Sequence, residues 1–517
     1  MDRQRFLISA LTFIMVCRMA LLPTTELSPD EALAVMNAAR PDLWHAEMGP
    51  LVPWLVKIST SLLGMNEFAV RVWAPLLAFV ASGLLWRLGR GIANPNVASW
   101  AVVGLQVVPG FNVAATTMTT SIVSLTAALG VVVSIRVALL HASPRHYSWF
   151  IGALCTALAI LTDWRNGITY LCALTALGIP LRRRHHLFKI GFLSITGAAA
   201  VSFGAFVFWN QMHDWPLGEI GSAAPEWIAV SNLLRWMVLL SPLMFCGVTW
   251  ALRQSLERWR VGAGHGQLLV FALPYTLLDF FWGPLERWPS MGWLIWVALA
   301  LVMLADHTTG VSPSELSRKV LLRTGTFALA MLLSLVLLRS DFVRSLGLPW
   351  KFSQDFTEKN TWRGFLFRDP SGGMMGWRQQ ANTLAAVLQK NSGPQAPWFV
   401  IAENWQMAAA TEFYLPEGLH LIRPTVRHPR IHAPQTIALT SPHSLWPRYD
   451  SVTDGHDPFA GASALFVTSA DAKSPPAEIQ KRFDHTEVLS VARVMHAGME
   501  LRTLKIFACH RYQPPEF

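Results

Sequence analysis

The sequence predicts a polytopic α-helical membrane protein of about eleven spans with a small α/β domain at its C-terminal end. Three observations carry that class. Of 517 residues, 52% are hydrophobic and only 14% charged, against roughly 25% charged in a soluble domain, and the mean hydropathy is +0.35. Apolar runs long enough for about 30 Å of hydrocarbon recur through residues 1–340 and then stop. Beyond residue 340, short helical and extended patterns alternate instead.

The runs lie near 6–22, 69–86, 97–113, 120–140, 148–162, 166–181, 188–208, 232–252, 266–282, 289–304 and 324–338. With the N-terminus inside, the cytoplasmic segments hold Arg3, Arg5, Arg87, Arg90, Arg145, Arg182, Arg183, Arg184, Lys189, Arg253, Arg258, Arg260, Arg318, Lys319 and Arg323. The short outer loops hold only Arg40, Lys57, Arg165 and Arg287. That asymmetry follows the positive-inside rule, and an odd number of spans puts residues 341–517 outside. Arg18 interrupts the first run and no small-x-small cleavage pattern follows, so it reads as a retained helix rather than a signal peptide.

The chain carries 42 Lys and Arg against 32 Asp and Glu, a net +10. The excess on the cytoplasmic segments accounts for all of it, so the charge records orientation and not a nucleic-acid surface. Abundant apolar residues exclude a disordered chain, and five Cys imply no disulfide framework. No nucleotide fingerprint, nucleophile elbow or metal-ligand spacing occurs, and no cofactor or metal is expected.

Carboxylates gather on the outer face. Glu26, Asp30, Glu31, Asp42, Glu47, Glu67, Asp163, Asp214, Glu219, Glu226 and Glu286 all fall in outer loops. The first of these loops opens with Ser28-Pro29-Asp30-Glu31-Ala32. Ser at the N-cap, Pro at the first helical position and Glu two places on form a capping box, which predicts a short helix. Two readings of Asp30 stand open: an acid that complements the helix dipole, and a general base at the membrane–water boundary. Asp279, near the outer end of the ninth run, is an intramembrane acid, and such costly residues mark functional sites.

In the tail, Trp377–Lys390 and Trp405–Leu415 have helical spacing, while Trp398–Ala402, Ala462–Thr468, Glu487–Val494 and Glu500–Ala508 read as strands. The Pro-, His- and Arg-rich segment Arg423–Pro434 reads as a solvated connector, or else as a loop that touches an anionic sugar or phosphate. The expected domains are thus 1–340, membrane-embedded with outer loops, and 341–517, a periplasmic α/β domain.

Motifs in order along the chain resemble one family. Asp30-Glu31-Ala32 is followed by Asp42, by Pro50-Leu51-Val52-Pro53-Trp54-Leu55, and by Gly64-x-x-Glu67-Phe68-Ala69-Val70-Arg71. Trp209-Asn210-Gln211-x-His213-Asp214-Trp215 follows the seventh run, and Arg287-Trp288-Pro289 opens the tenth. The tail adds Gly376-Trp377-Arg378, Val400-Ile401-Ala402-Glu403-Asn404-Trp405-Gln406-x-Ala408 and Phe413-Tyr414-Leu415-Pro416. Together these resemble bacterial GT-C glycosyltransferases related to the dolichyl-phosphate-mannose protein mannosyltransferases, the group that includes the aminoarabinose and galacturonic acid lipopolysaccharide transferases.

The resemblance implies a GT-C-like bundle in a bacterial inner membrane with its active site on the periplasmic face. The donor would be a polyprenyl-phosphate-linked sugar and the acceptor an envelope glycan, lipid or protein. Asp30, with Glu31 beside it, would deprotonate the acceptor hydroxyl for inverting attack. Arg71, Arg165, Arg235 and Arg287, all at outer ends of runs, would bind the donor phosphate, or snorkel to the interface. Asp42, His213, Asp214, Trp288 and Asp279 would line the substrate site.

The chain also departs from the family. Leu33, Ala34 and Val35 stand where aromatics are usual, and Met48-Gly49-Pro50 where His-Pro-Pro is. The second outer loop, which usually ends in an acid, reads Met118-Thr119-Thr120-Ser121, and no Asp or Glu occurs from Phe68 to Thr162. Thr162-Asp163-Trp164 replaces a Ser-Lys-Tyr. Either Asp163 and Arg165 compensate for the missing acid, or the chain is a catalytically impaired scaffold or partner subunit with the same fold. A lipid or sugar transporter is a third reading, which the outer domain disfavours.

Overall fold

The computed structural model describes residues 3–39, 42–45, 48–140, 146–167, 170–172, 185–212, 237, 239–258, 291–308, 326, 329–334, 338–339, 372–391, 398–403, 405–415, 431–432, 461–469, 472–496 and 499–513. In chain order the helices are α1 (Arg3–Leu21), α2 (Pro29–Ala39), α3 (Leu51–Leu63), α4 (Glu67–Arg71), α5 (Trp73–Ile92), α6 (Pro95–Val107) and α7 (Pro109–Ala114). Then come α8 (Thr120–Leu140), α9 (His146–Thr162), α10 (His185–Met212), α11 (Pro242–Arg258) and α12 (Met291–Thr308). The tail holds α13 (Trp377–Asn391), β1 (Trp398–Ala402), α14 (Trp405–Tyr414), β2 (Ile431–His432), β3 (Ser463–Ser469), α15 (Ala477–Lys481), β4 (Phe483–His496) and β5 (Met499–Tyr512). Two compact units result: Met1–Pro23, Pro41–Trp209 and Ala223–Arg339 form one, and Thr24–Arg40, Asn210–Ser222 and Ser340–Phe517 the other.

In the first unit, four described stretches are long and apolar enough to cross a bilayer: Gln4–Thr24, Glu67–Ile92, Thr120–Ala138 and Gly191–Met212. Leu51–Leu63, Tyr147–Thr162 and Pro242–Ala251 are apolar but shorter. The expected run at 266–282 lies wholly outside the described residues, that at 166–181 largely so, and that at 324–338 in about half of its length. The expected run 97–113 is broken. Pro109 bars helical geometry at the residue before it, so Val108 turns extended (φ −63°, ψ 119°) between α6 and α7. The sequence reading also took 51–63 as loop, where α3 forms.

Lipid offers no partners to polar groups, and several side chains of this unit bond one another or the backbone instead. Ser82, Thr126 and Thr156 hydroxyls donate to the carbonyls of Ala78, Ile122 and Gly152, four residues back, at 2.7, 2.8 and 2.9 Å. Arg18 is buried; its Nη1 donates to Gln106 Oε1 at 2.9 Å and its Nη2 to Asn112 Oδ1 at 2.6 Å. Asn112 Nδ2 passes the network on to Ser334 Oγ at 3.1 Å. Helices close through small residues. A Cβ on Gly89 would lie 2.8 Å from Ala98 Cα, and one on Gly130 would lie 2.5 Å from Cys155 Sγ.

The second unit is built on a mixed five-stranded sheet in the order β2-β1-β3-β5-β4. β1 pairs parallel with β2 and β3, while β3–β5 and β5–β4 are antiparallel. Ile401, Ala464, Phe466, Ile479, Phe483, Phe507 and Tyr512 form its core. The strands read from the sequence at 398–402, 462–468, 487–494 and 500–508 all form, the last two extended into a 14-residue β-ribbon. A mostly helical membrane protein with a small α/β tail is therefore the observed class.

Candidate active site

The helix predicted at Ser28 forms as α2, and the capping box is in place. Glu31 Oε2 accepts the Ser28 N–H at 2.9 Å, and Ser28 Oγ accepts the Glu31 N–H at 3.4 Å. Glu31 through Val35, Asn37 and Ala38 are all buried, so α2 is enclosed around most of its circumference, while Asp30 in the first turn is half-buried. α2 packs on α14 of the same unit.

Just upstream, Glu26 and Leu27 are fixed by residues far away in sequence. Glu26 Oε2 accepts the Trp377 N–H at 2.5 Å, and the Glu26 N–H donates to Met374 O at 3.1 Å. The Leu27 N–H donates to Tyr414 Oη at 2.7 Å. Around the carboxylate stand Arg378, whose guanidinium lies 5.0 Å from the Tyr414 ring, and Arg502, which stacks 3.6 Å over Trp377. Burial pushes the Glu26 carboxyl above its ordinary value, against the pull of the Trp377 and Arg378 N–H groups and both arginines. Burial likewise lowers Arg502 to about 10, with Glu26 opposing. Glu26 was counted among the outer acids but not among the site residues; nothing in its local spacing points to partners 351 residues on.

In the first unit, Asp163 starts the short turn Trp164–Asn166, its Oδ1 accepting the Arg165 N–H at 2.9 Å. The two side chains pair: Arg165 Nε donates to Oδ1 at 2.9 Å and to Oδ2 at 3.1 Å, and Nη2 to Oδ2 at 2.5 Å. Trp164 stacks on Phe206 at 5.7 Å, and the edge of Trp44 meets Phe206 at 5.1 Å. Asn166 Nδ2 donates to Ser124 Oγ at 2.8 Å. Ser121 is buried.

Asp42 accepts Trp209 Nε1 at 3.1 Å through Oδ2 and its neighbour's Leu43 N–H at 2.6 Å through Oδ1. His45 is held neutral: burial lowers it to about 4 although Asp42 pulls upward, and its Nε2 is buried without a partner among the described residues. Sequence reasoning missed His45. Arg71 is 1% exposed and donates from Nη1 to Leu22 O at 2.8 Å. Arg235, Arg287, His213, Asp214, Trp288 and Asp279 lie outside the described residues. Among the described residues no group of three His, Cys, Asp or Glu is placed to hold a metal.

Residues 45–209 match the family model of dolichyl-phosphate-mannose-protein mannosyltransferase. Comparison with curated protein sequences gives no match. Among solved structures the chain is similar to ArnT from Cupriavidus metallidurans in the apo state, at 14% identity and TM-score 0.59, covering 98% of this chain and 97% of that one. The same protein bound to undecaprenyl phosphate gives 13% and 0.57, covering 97% of each chain. The Archaeoglobus fulgidus oligosaccharyltransferase in the apo form gives 10% and 0.52, covering 89% of this chain and 69% of that one. The family match thus lies inside the first unit, and over nearly its whole length the chain shares the fold of ArnT, a fold that the archaeal oligosaccharyltransferase also has.

Proposed function

We propose that this protein transfers a sugar from a polyprenyl-phosphate donor to an envelope glycan, lipid or protein on the outer face of a bacterial inner membrane, with its C-terminal domain in the periplasm. The observation that carries the reading is a fold shared end to end with ArnT, which was solved with undecaprenyl phosphate, together with an acid in the first turn of a capped helix in the first outer loop. Asp30 takes the proton of an acceptor hydroxyl, whose oxygen attacks the anomeric carbon. The bond from that carbon to the phosphate oxygen breaks, the phosphate keeps the electron pair, and configuration inverts. General-base assistance of this kind contributes about 10²–10⁴-fold.

The departing phosphate needs cations, a part we assign to Arg71, Arg165, Arg235 and Arg287 from their places at the ends of apolar runs, with Arg71 alone inside a motif of the resemblance. Asp42, His213, Asp214, Trp288 and Asp279 remain the residues proposed for substrate. Glu31 serves by holding the helix start and Asp163 by holding Arg165.

A second reading, an impaired scaffold with the same fold, draws on two observations: Ser121 stands in place of the second acid, and the Asp163 carboxylate is engaged with Arg165. Transfer by purified protein in nanodiscs, using lipid-linked donors and envelope extracts as acceptors, separates the two. Loss of transfer of about 10²-fold or more in Asp30→Asn is expected. Unchanged transfer in Asp30→Asn combined with Asp163→Asn overturns the catalytic assignment.

A further inference from the structure

The helix that carries Asp30 is stapled, within its own unit, to the C-terminal domain. A helix leaves its first N–H groups without intrahelical partners, and the N-terminus attracts negative charge. At α13 those groups are met by a carboxylate from outside the helix: the Trp377 and Arg378 N–H groups both bond Glu26. The β4–β5 ribbon closes on this helix start at Gly376. That residue sits at φ +79°, and a Cβ there would lie 2.7 Å from Val494 Cγ1 and 2.8 Å from Leu501 Cδ1.

Arg502 completes the joint. From the ribbon strand β5 it donates to the Met375 carbonyl and stacks on the Trp377 ring. Trp377 is locked in turn by its Nε1–H donating to Gly373 O at 2.8 Å. A second tie lies one residue along, where Tyr414 at the end of α14 accepts the Leu27 N–H. Gln380 Nε2 links α13 to α14 through Thr411 Oγ1 at 2.8 Å. Both ties act on residues 26 and 27, immediately before the Ser28 cap. Fixing them fixes where α2 begins, and so where Asp30 stands.

We infer that Glu26 and Tyr414 are positioning residues that set the place of Asp30, and that the C-terminal domain takes part in the reaction by holding α2. The inference rests on the assignment of Asp30 as the base. It gives a role to the Gly376-Trp377-Arg378 and Phe413-Tyr414 motifs, which bear no chemistry of their own.

The test uses the full-length protein in nanodiscs with Glu26→Ala and, as the milder change, Tyr414→Phe. Hydrogen exchange over residues 29–39 is expected to rise at least tenfold in Glu26→Ala and several-fold in Tyr414→Phe, while residues 463–469 of β3 keep wild-type protection. With a donor and acceptor that the wild type uses, kcat is expected to fall about 10–100-fold while KM for the donor stays within about twofold. General misfolding would instead raise exchange in β3 as well and lower the active fraction without that split.

Wild-type exchange over 29–39 in both variants overturns the inference. So does raised exchange with wild-type kcat. If Asp30→Asn transfers normally, the catalytic reading fails first, and the positioning role of Glu26 falls with it even though the staple shows in the exchange data.

Discussion

Breaking the Asp163–Arg165 pair should cost stability by an amount the geometry bounds. Asp163 is 3% exposed, and the Arg165 side chain is 23% exposed. Exposed pairs are worth about 0.2–1 kcal/mol, and removing one partner of a fully buried pair costs about 3–5 kcal/mol. A pair with one member buried and the other a quarter exposed falls between, near 2 kcal/mol. Asn at position 163 can keep its Oδ1 on the Arg165 N–H, so Asp163→Asn isolates the charge. Ala removes that turn cap too and adds about 1 kcal/mol. Denaturant titrations of the purified protein, run as a double-mutant cycle with Arg165→Gln, should return a coupling of about 1–2 kcal/mol. If Asp163 acts by holding Arg165, the double variant transfers sugar no worse than Arg165→Gln alone. A coupling below about 0.3 kcal/mol refutes the structural role. A double variant much less active than Arg165→Gln would show that Asp163 does chemistry of its own.

Gly49→Ala should destabilise by about 1–3 kcal/mol. The new Cβ would lie 2.2 Å from Leu161 O and 2.7 Å from the Thr162 carbonyl, and the Gly49 N–H to Thr162 O bond of 3.0 Å would break; a thermal melt checks this. Glu26 makes a signed pH prediction. Its folded-state pKa is raised, mainly by burial, so ionisation opposes folding and its contribution to stability falls as pH rises through the folded pKa. Gln mimics the protonated form. The melting temperature of Glu26→Gln relative to wild type should therefore decline as pH is lowered from 7 to 5; a rise would refute the sign.

Legibility followed the range of the interactions. Hydrophobic periodicity is local, so α8, α9, α13, α14 and the four longer strands could be read to within a few residues. The capping box spans four residues and was equally visible. The break at Pro109 was a local signal passed over inside an apolar run. The Glu26 staple was not legible, because it joins segments 351 residues apart through backbone N–H groups that any residue supplies. The departures from the family marked places without explaining them. Met48-Gly49-Pro50 became intelligible only when Gly49 was found against the end of α9, in space no side chain fits.

A charge-poor chain has structural uses for its loop carboxylates. Loops between spans leave N–H groups outside any helix, and a carboxylate accepts several at once. Glu26 takes the N-terminus of α13, Glu31 the Ser28 N–H, Asp42 the Trp209 indole and Asp163 the Arg165 turn. Crowding of acids on one face is thus no argument for catalysis by itself. What distinguishes Asp30 is its position in the capping box. Ser28 is the N-cap and Glu31 is at N3, so the reciprocal bonds are complete without the side chain at N2, which is Asp30. Asp30→Asn leaves both of those bonds in place, so it should cost less stability than loss of Glu31, while transfer collapses. Glu31→Ala should show the opposite pattern: a loss of about 1 kcal/mol or more from the orphaned, half-buried Ser28 N–H, with transfer restored toward wild type at low temperature, where the folded population recovers. Equal stability losses in the two variants, or equal activity losses at matched folded fraction, would remove the distinction on which the choice of Asp30 over its neighbour stands.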